Sequence, residues 1–317
     1  MAEPLNATFF AFRKREGGLL LPATLTFSLL FALFLGAYLV ATIMLSGQNP
    51  ADLIKILSNA EAGPSAIENA FSPTALIGLL LAFLVFVFAV CILAASYEAA
   101  CLRWMIRGEK KGVFGLALDA DTWRVYGIYW VWLIFAVVGF IAFLIFMGLL
   151  GALLQSLMGD LSPFVLPALF LILPIYFMVR LAPAAATAVA TRRFTFFDAW
   201  NVSSDRFWAI FGAMFLIWLI FTILSTVLTC GLLAWGLGTE GLNTLFATMS
   251  SNPADASAAV DRAQLELMMG EKTWLGFWAV QLVSYVLSAV FYLALFGVNA
   301  RAALAALEEG KIEQEAA

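Results

Sequence analysis

The chain alternates long apolar stretches with short polar segments, and this pattern predicts its secondary structure. Each of six stretches is long enough to cross a bilayer, for which a helix needs about 20 mostly apolar residues. The apolar runs are continuous, and lipid offers no partner to unpaired backbone groups, so we expect α-helices. The predicted spans are 19–45, 74–97, 126–154, 164–183, 207–235 and 274–299.

We therefore expect an all-α, polytopic membrane protein whose six transmembrane helices form three helical hairpins. The composition agrees, because 63% of the residues are hydrophobic and 12% are charged. A typical soluble domain is about half apolar and a quarter charged. We expect these spans and the loops between them to form a single membrane domain over residues 1–317.

Short amphipathic segments beside the spans predict interfacial helices. Leu5, Phe9 and Phe12 recur at helical spacing just before a basic cluster, as in helices that lie in the headgroup plane. The tetrapeptide Asn-Pro-Ala-Asp occurs at 49–52 and again at 252–255. Asn is a favoured N-cap and Pro a favoured first helical residue, so both tetrapeptides predict helix starts.

The basic residues predict the orientation of the chain. Of its 17 Lys and Arg residues, 14 fall on the side of the two termini and 3 on the other. The positive-inside rule then predicts cytoplasmic N and C termini, with outer-side loops at 46–73 and 236–273. Lipid is the expected partner, with anionic lipid headgroups on the cytoplasmic side. A pI near 5.0 gives no reason to expect nucleic acid.

The content of catalytic residue types is low. The chain has no histidine, and Cys91, Cys101 and Cys230 lack metal-ligand spacing, so we expect no cofactor and no enzymatic activity. The central part of each span carries no ionisable side chain, although such side chains usually mark ion and proton pathways. An ion channel or proton-coupled pump is therefore disfavoured.

Glu98 is the first candidate functional position. It lies 24 residues beyond Thr74, or roughly 36 Å along a helix, which reaches past the hydrocarbon core to the inner interface. Two readings are open. Glu98 forms an interfacial ion pair with Arg103 and Arg107, or it is a functional carboxylate.

The fourth span contains candidate hinge positions. Pro167 and Pro174 each remove a helical hydrogen bond and predict kinks. Arg180 follows near the inner end, where we expect its side chain to snorkel to the surface. The small residues at 182, 186 and 190 predict a ridge for close helix packing.

The last span contributes the other polar candidates, Gln281, Ser284 and Asn299. The sequence that starts at Asn299 compares with the one that starts at Glu98, each being a small-residue exit from a returning helix. One explanation is that the three hairpins are repeats of one unit, a plan found among transporters. The competing explanation is that interfacial and helix-start residues recur for local reasons.

The central stretch carries a family resemblance. The basic pair Arg192-Arg193 precedes Phe-Thr-Phe-Phe-Asp-Ala-Trp, in which Thr195 and Asp198 have the spacing of a capping box. Ser-Asp-Arg-Phe-Trp-Ala-Ile-Phe-Gly then follows at 204–212. This pattern resembles poorly characterised six-helix bacterial inner-membrane proteins and is similar to the membrane domain attached to some glycerophosphodiester phosphodiesterases. The resemblance implies the bacterial inner membrane and carries over no catalytic residue.

Two functions are compatible with these features. One is a non-catalytic scaffold or accessory module for a membrane-protein partner or for lipid and envelope organisation. The alternative is a permease for an apolar or amphipathic solute, lined by the glycine-rich third span, the kinked fourth span and the sixth-span residues Gln281, Ser284 and Ser288. A continuous polar cavity between spans would favour the permease, and a dry interior packed with alanine and glycine would favour the scaffold.

Overall fold

The fold was analysed in a computed structural model that describes residues 10–13, 18–47, 72–158, 162–251, 260, 263, 267–268, 270 and 273–313. Within these residues the regular elements are helices, and an isolated bridge joins Val113 to Leu116. In chain order the helices are α1 Phe10–Arg13, α2 Leu20–Ser46, α3 Pro73–Arg107, α4 Ala120–Met158, α5 Ser162–Leu181, α6 Ala184–Thr191, α7 Asp198–Ser203, α8 Phe207–Ser251 and α9 Trp274–Glu308.

Six helical stretches are long and apolar enough to cross a membrane. They are α2, α3, α9, the first 32 residues of α4 and of α8, and the stretch Ile172–Thr191 at the end of α5 and in α6. The predicted all-α class with six spans is confirmed. By helix length and hydropathy the chain is a multi-pass membrane protein, and its spanning helices contact the lipid bilayer.

Several helices run past the ends of the predicted spans. α3 continues from 97 to Arg107, and α9 continues from 299 to Glu308. The added turns are stabilised by protein contacts rather than by lipid, since Ala99, Ala100 and Leu102 are fully buried. α8 extends to Ser251, into the predicted outer loop, with a non-helical Gly238 on the way.

The predicted interfacial helices lie largely outside the described residues. This holds for Leu5, Phe9 and the helix starts at 49–52 and 252–255. Phe12 is described on the short helix α1 and is 49% exposed.

The chain forms two compact units. One comprises Met1–Arg13 with Trp208–Val298 and the other comprises Lys14–Phe207 with Asn299–Ala317. In the first unit, α8 meets α9 where the ring centroids of Phe221 and Phe291 lie 4.5 Å apart. Further along, Leu232 and Leu233 of α8 and Phe277 of α9 form a core cluster with Ala263 and Leu267, which lie between the two helices in the chain. The prediction of one domain over 1–317 stays a prediction.

The second unit is built around α3. α2 packs along α3, α4 packs on α3 and α5, and the short α6 packs on both α3 and α4. Every residue of α6 is buried, so the predicted small-residue ridge is confirmed at Ala186 and Ala190. Alanine side chains let the three helix backbones approach closely, and this positions the residues at the ends of α3 and α4.

The segment between α6 and α8 departs from its prediction. α7 begins at Asp198, and its N-cap position is Phe197, without a side-chain cap. Thr195 Oγ1 is buried without a hydrogen-bond partner among the described residues, so the predicted capping box is wrong. The reason is tertiary, because Phe196 is drawn into the core cluster of Ile128, Leu181 and Ala188 and turns the chain before the helix starts.

Candidate functional site

Charged residues gather where α3 ends and α4 begins, on the side that the basic residues predict to be cytoplasmic. We call this group the charge cluster. It consists of Arg103, Arg107, Glu109, Lys111, Asp119, Asp121, Arg124 and Arg192. Three elements supply it, namely the end of α3, the loop 108–119 with the first turn of α4, and the residue after α6.

The backbone of loop 108–119 fixes where these side chains stand. Gly108 ends α3 in the left-handed conformation (φ 71°) and donates its N–H to the Trp104 carbonyl. Asp119 starts α4, because its carboxylate accepts the Thr122 backbone N–H at 3.2 Å. An acidic cap also complements the positive end of the helix dipole.

Arg103 is the centre of the charge cluster and is fully buried. It forms an ion pair with Asp119, and its Nη1 lies 3.6 Å from Asp121 Oδ2. Its Nη2 donates to the Gly115 carbonyl at 3.2 Å. A buried guanidinium is tolerated only when paired, so these contacts tie loop 108–119 to α3.

Arg107 extends the charge cluster from α3 to α4 and α6. It pairs with Asp121 in the first turn of α4 and donates to the Val189 carbonyl of α6 at 2.5 Å. Its Nε lies 3.2 Å from Glu109 Oε1, an electrostatic contact rather than an aligned hydrogen bond. One side chain therefore joins three helices.

The rim of the charge cluster is more exposed. Arg192 Nη2 lies 3.0 Å from Glu109 Oε1, and Arg124 Nη1 lies 2.7 Å from Asp121 Oδ1. The Lys111 side chain is 53% exposed and its Nζ lies 3.5 Å from Glu109. Together the rim side chains line a pocket of about 200 Å³ with Arg107 and Asp119.

The electrostatic balance lowers the pKa values of two carboxyl groups in the loop. Partial burial raises the pKa of Glu109, but the charges of Arg107, Lys111 and Arg192 outweigh it and leave the pKa below its ordinary value. Partial burial also raises the pKa of Asp119. The Thr122 N–H and the Arg103 guanidinium outweigh that effect and lower the pKa. Both groups are therefore held in the charged form.

Glu98 does not make its predicted ion pairs. Its buried carboxylate accepts the hydroxyl of Tyr129 on α4 at 2.5 Å. Arg103 and Arg107, its expected partners, pair instead with carboxylates of the loop and of α4. The predicted ion pair of Glu98 with these arginines is wrong for a geometric reason. Asp119 and Asp121 lie next to the two guanidinium groups and pair with them instead.

Arg180 lies in an aromatic enclosure. Its guanidinium carbon is 5.3 Å from the Tyr176 ring centroid, 5.2 Å from that of Trp200 and 5.6 Å from that of Phe207. Its Nε donates to the Tyr176 hydroxyl at 3.2 Å. These cation–π contacts hold α5 against α7, and the snorkelling of Arg180 to the inner surface stays a prediction. Pro174 precedes this site on α5, and Pro167 lies about two turns further back along the same helix.

The polar candidates of the last span do not join the charge cluster. Ser288 donates to the Ser284 carbonyl at 2.8 Å, a local contact within α9. Gln281 lies about two turns before Ser288 on the same helix. Asn299 Oδ1 is buried without a hydrogen-bond partner among the described residues. Of the predicted positions, only Glu98 lies on a helix that supplies the charge cluster.

Sequence reasoning missed the charge cluster as a unit. The sequence predictions use its basic members for the orientation of the chain and pair Arg103 and Arg107 with Glu98, and they assign no role to Asp119 and Asp121. The available signal was the placement of two aspartates within one helical turn, 12 or more residues after two arginines spaced at i and i+4. Pairing across a loop cannot be read from spacing alone.

Comparison of the chain with protein-family models, with curated proteins and with solved structures finds no match.

Proposed function

We propose that the chain is a non-catalytic module of the bacterial inner membrane that serves as a scaffold or accessory subunit for a membrane-protein partner or for lipid organisation. Both termini are cytoplasmic in this proposal. The central stretch from Arg192 to Gly212, which resembles six-helix bacterial inner-membrane proteins, supports the location.

The observation that carries the proposal is how the charge cluster is used. Arg103 and Arg107 lie within α3. Arg103 donates hydrogen bonds to Asp119 and the Gly115 carbonyl, and Arg107 donates to Asp121 and the Val189 carbonyl. These contacts lock α3, α4, α6 and the loop together. A locked helix group at the membrane surface suits a docking platform better than a transporter, which needs elements that move.

One observation favours the alternative, a permease for an amphipathic solute. A groove of about 540 Å³ runs between α2 and α3 beneath loop 108–119, with a mostly apolar lining. Thr26 and Ser96 are its polar side chains. In this alternative the solute path follows α2 and α3 rather than the predicted third, fourth and sixth spans.

A pair of α3 variants separates the two functions. Ile92→Trp fills the groove, whereas Val85→Trp places the same side chain at a lipid-facing position, 69% exposed and outside the groove lining. The full chain is captured from native membranes after chemical cross-linking, and it is also reconstituted in liposomes with an amphipathic fluorescent solute. A scaffold gives one partner at fixed stoichiometry with both variants, and no solute flux above that of empty liposomes.

The opposite result would overturn the scaffold. It consists of solute flux that Ile92→Trp abolishes and Val85→Trp preserves, without a stoichiometric partner. Reporter fusions active only in the cytoplasm, placed at each end of the chain, test the orientation separately.

A further inference from the structure

The charge cluster carries more positive than negative charge. Five cationic side chains share three carboxylates, which leaves an excess of two positive charges within the cluster. Asp121 is shared by Arg103, Arg107 and Arg124, while Glu109 is shared by Arg107, Lys111 and Arg192. A local excess of positive charge raises the concentration of anions near the cluster and favours a bound anion.

The backbone at Arg192 points to the same conclusion. Arg192 occupies the C-cap of α6 in the left-handed conformation, with φ 59°. Glycine is the usual residue at such a position, because a side chain there is strained. Strain of this kind is retained where the side chain is needed. Here it aims the guanidinium at Glu109 and into the pocket.

We propose that this pocket binds a phosphate group. Its volume is about 200 Å³, and Arg107, Lys111, Arg124 and Arg192 line it together with Asp119 and Asp121. Arginine forks match the oxygens of a phosphate in pairs, and lysine adds a point charge. The phosphate belongs to an anionic phospholipid headgroup or to a soluble phosphate compound.

The surroundings favour the lipid source. Loop 108–119 lines the phosphate pocket with Lys111 and Asp119, and it lines the apolar groove with Leu116 and Ala117. Phe114 of the same loop is 64% exposed. A loop with a charged side and an exposed apolar side belongs at the boundary of headgroups and acyl chains. The inference goes beyond the proposed function, since it holds for a scaffold and for a permease alike.

The test separates binding from folding through Arg192→Gly. Glycine relieves the strained backbone, so the variant folds at least as well as the parent chain while losing one phosphate ligand. Combining it with Arg124→Gln removes a second rim cation and leaves Arg103 and Arg107 in place. Arg301→Gln is the matched control, because the Arg301 and Arg192 side chains are both 31% exposed and Arg301 lies outside the pocket.

The full chain in detergent is titrated with short-chain phosphatidylglycerol, short-chain phosphatidylcholine and inorganic phosphate, and bound adducts are counted by native mass spectrometry. We expect phosphatidylglycerol to bind, with affinity on the order of tenfold lower in the double variant, as for the loss of a charge-assisted contact. Arg301→Gln should bind like the parent. Binding of inorganic phosphate with the same variant pattern would identify a soluble phosphate as the ligand.

Two outcomes overturn the proposal. In one, the parent chain binds neither phosphatidylglycerol nor inorganic phosphate. In the other, Arg192→Gly and the double variant bind as tightly as Arg301→Gln. If the double variant fails to fold, the affinity of Arg192→Gly for phosphatidylglycerol is compared with that of Arg301→Gln on its own.

Discussion

The hydroxyl of Tyr129 on α4 donates a 2.5 Å hydrogen bond to the carboxylate of Glu98 on α3. Glu98 is only 8% exposed, so the Tyr129 hydroxyl donates a hydrogen bond that water would otherwise donate to its carboxyl group. The bond also joins two spanning helices one to two turns below the charge cluster. A carboxyl group expected at the surface is therefore an internal contact between helices.

Tyr129→Phe should lower the free energy of unfolding by about 1–3 kcal/mol, because it leaves a buried carboxyl group without its donor. Unfolding in mixed detergent micelles measures the change. Tyr126→Phe on the same helix is the control, since the ring contacts of Tyr126 with Trp123 and Trp130 survive the loss of its hydroxyl. Equal losses in both variants would contradict the role given to the Glu98 contact.

Arg103→Leu should be among the most damaging single changes. It removes a fully buried guanidinium and leaves Asp119 without its ion-pair partner, at a cost of about 3–5 kcal/mol as for other broken buried pairs. Lys111→Gln should change stability by less than about 1 kcal/mol, because Lys111 is an exposed rim residue. Thermal unfolding of both purified variants tests this. Equal unfolding midpoints for Arg103→Leu and Lys111→Gln would show that Arg103 is not the centre of the charge cluster.

Acid should loosen loop 108–119. The pKa values of Glu109 and Asp119 lie below their ordinary values of 4.5 and 3.8, so their pairs stabilise the fold fully above those values. The stabilisation is lost as the pH falls through the lowered pKa values. We expect the contribution of these two groups to the unfolding midpoint to be level from pH 7 to about pH 5 and to fall below about pH 4.

The double variant Glu109→Gln with Asp119→Asn checks this acid response. It should start from a lower midpoint at pH 7 and show a shallower fall in acid, because two of the titrating groups are gone. An acid response as steep as that of the parent chain would assign the effect to other groups.

Gly112 should resist substitution more than other glycines with positive φ. Its φ is 75°, and a Cβ there would lie 2.0 Å from the Leu116 carbonyl oxygen, a backbone atom that cannot move aside cheaply. Gly47 has φ 63° with open space around it. Gly47→Ala should therefore cost about 1 kcal/mol for backbone strain alone, and Gly112→Ala clearly more.

Protease cleavage near residues 108–119 is a direct readout of this difference. Cleavage should rise in Gly112→Ala and stay unchanged in Gly47→Ala. If both alanine variants behave alike, the tight turn around Gly112 does not constrain the loop.

The spans were predictable from sequence because a bilayer demands long apolar runs whatever the partners of a helix are. The ends of the helices were harder to predict. Hydropathy ends the second span near 97, yet α3 continues to Arg107, because protein contacts rather than lipid stabilise residues 98 to 106. The Thr195–Asp198 capping box failed for a related reason, since the burial of Phe196 outweighed a local cap.

The sequence by itself determined the class of the protein, its six spans and a strong bias of basic residues to one side, because each depends on local composition. Only the tertiary structure decided what the charges do. Arg103 and Arg107 bind Asp119 and Asp121 rather than Glu98, and Arg192 reaches Glu109 from a different helix. Close packing of α6 on α3 and α4 brings these residues together, and ion pairing between residues distant in sequence depends on that packing rather than on spacing.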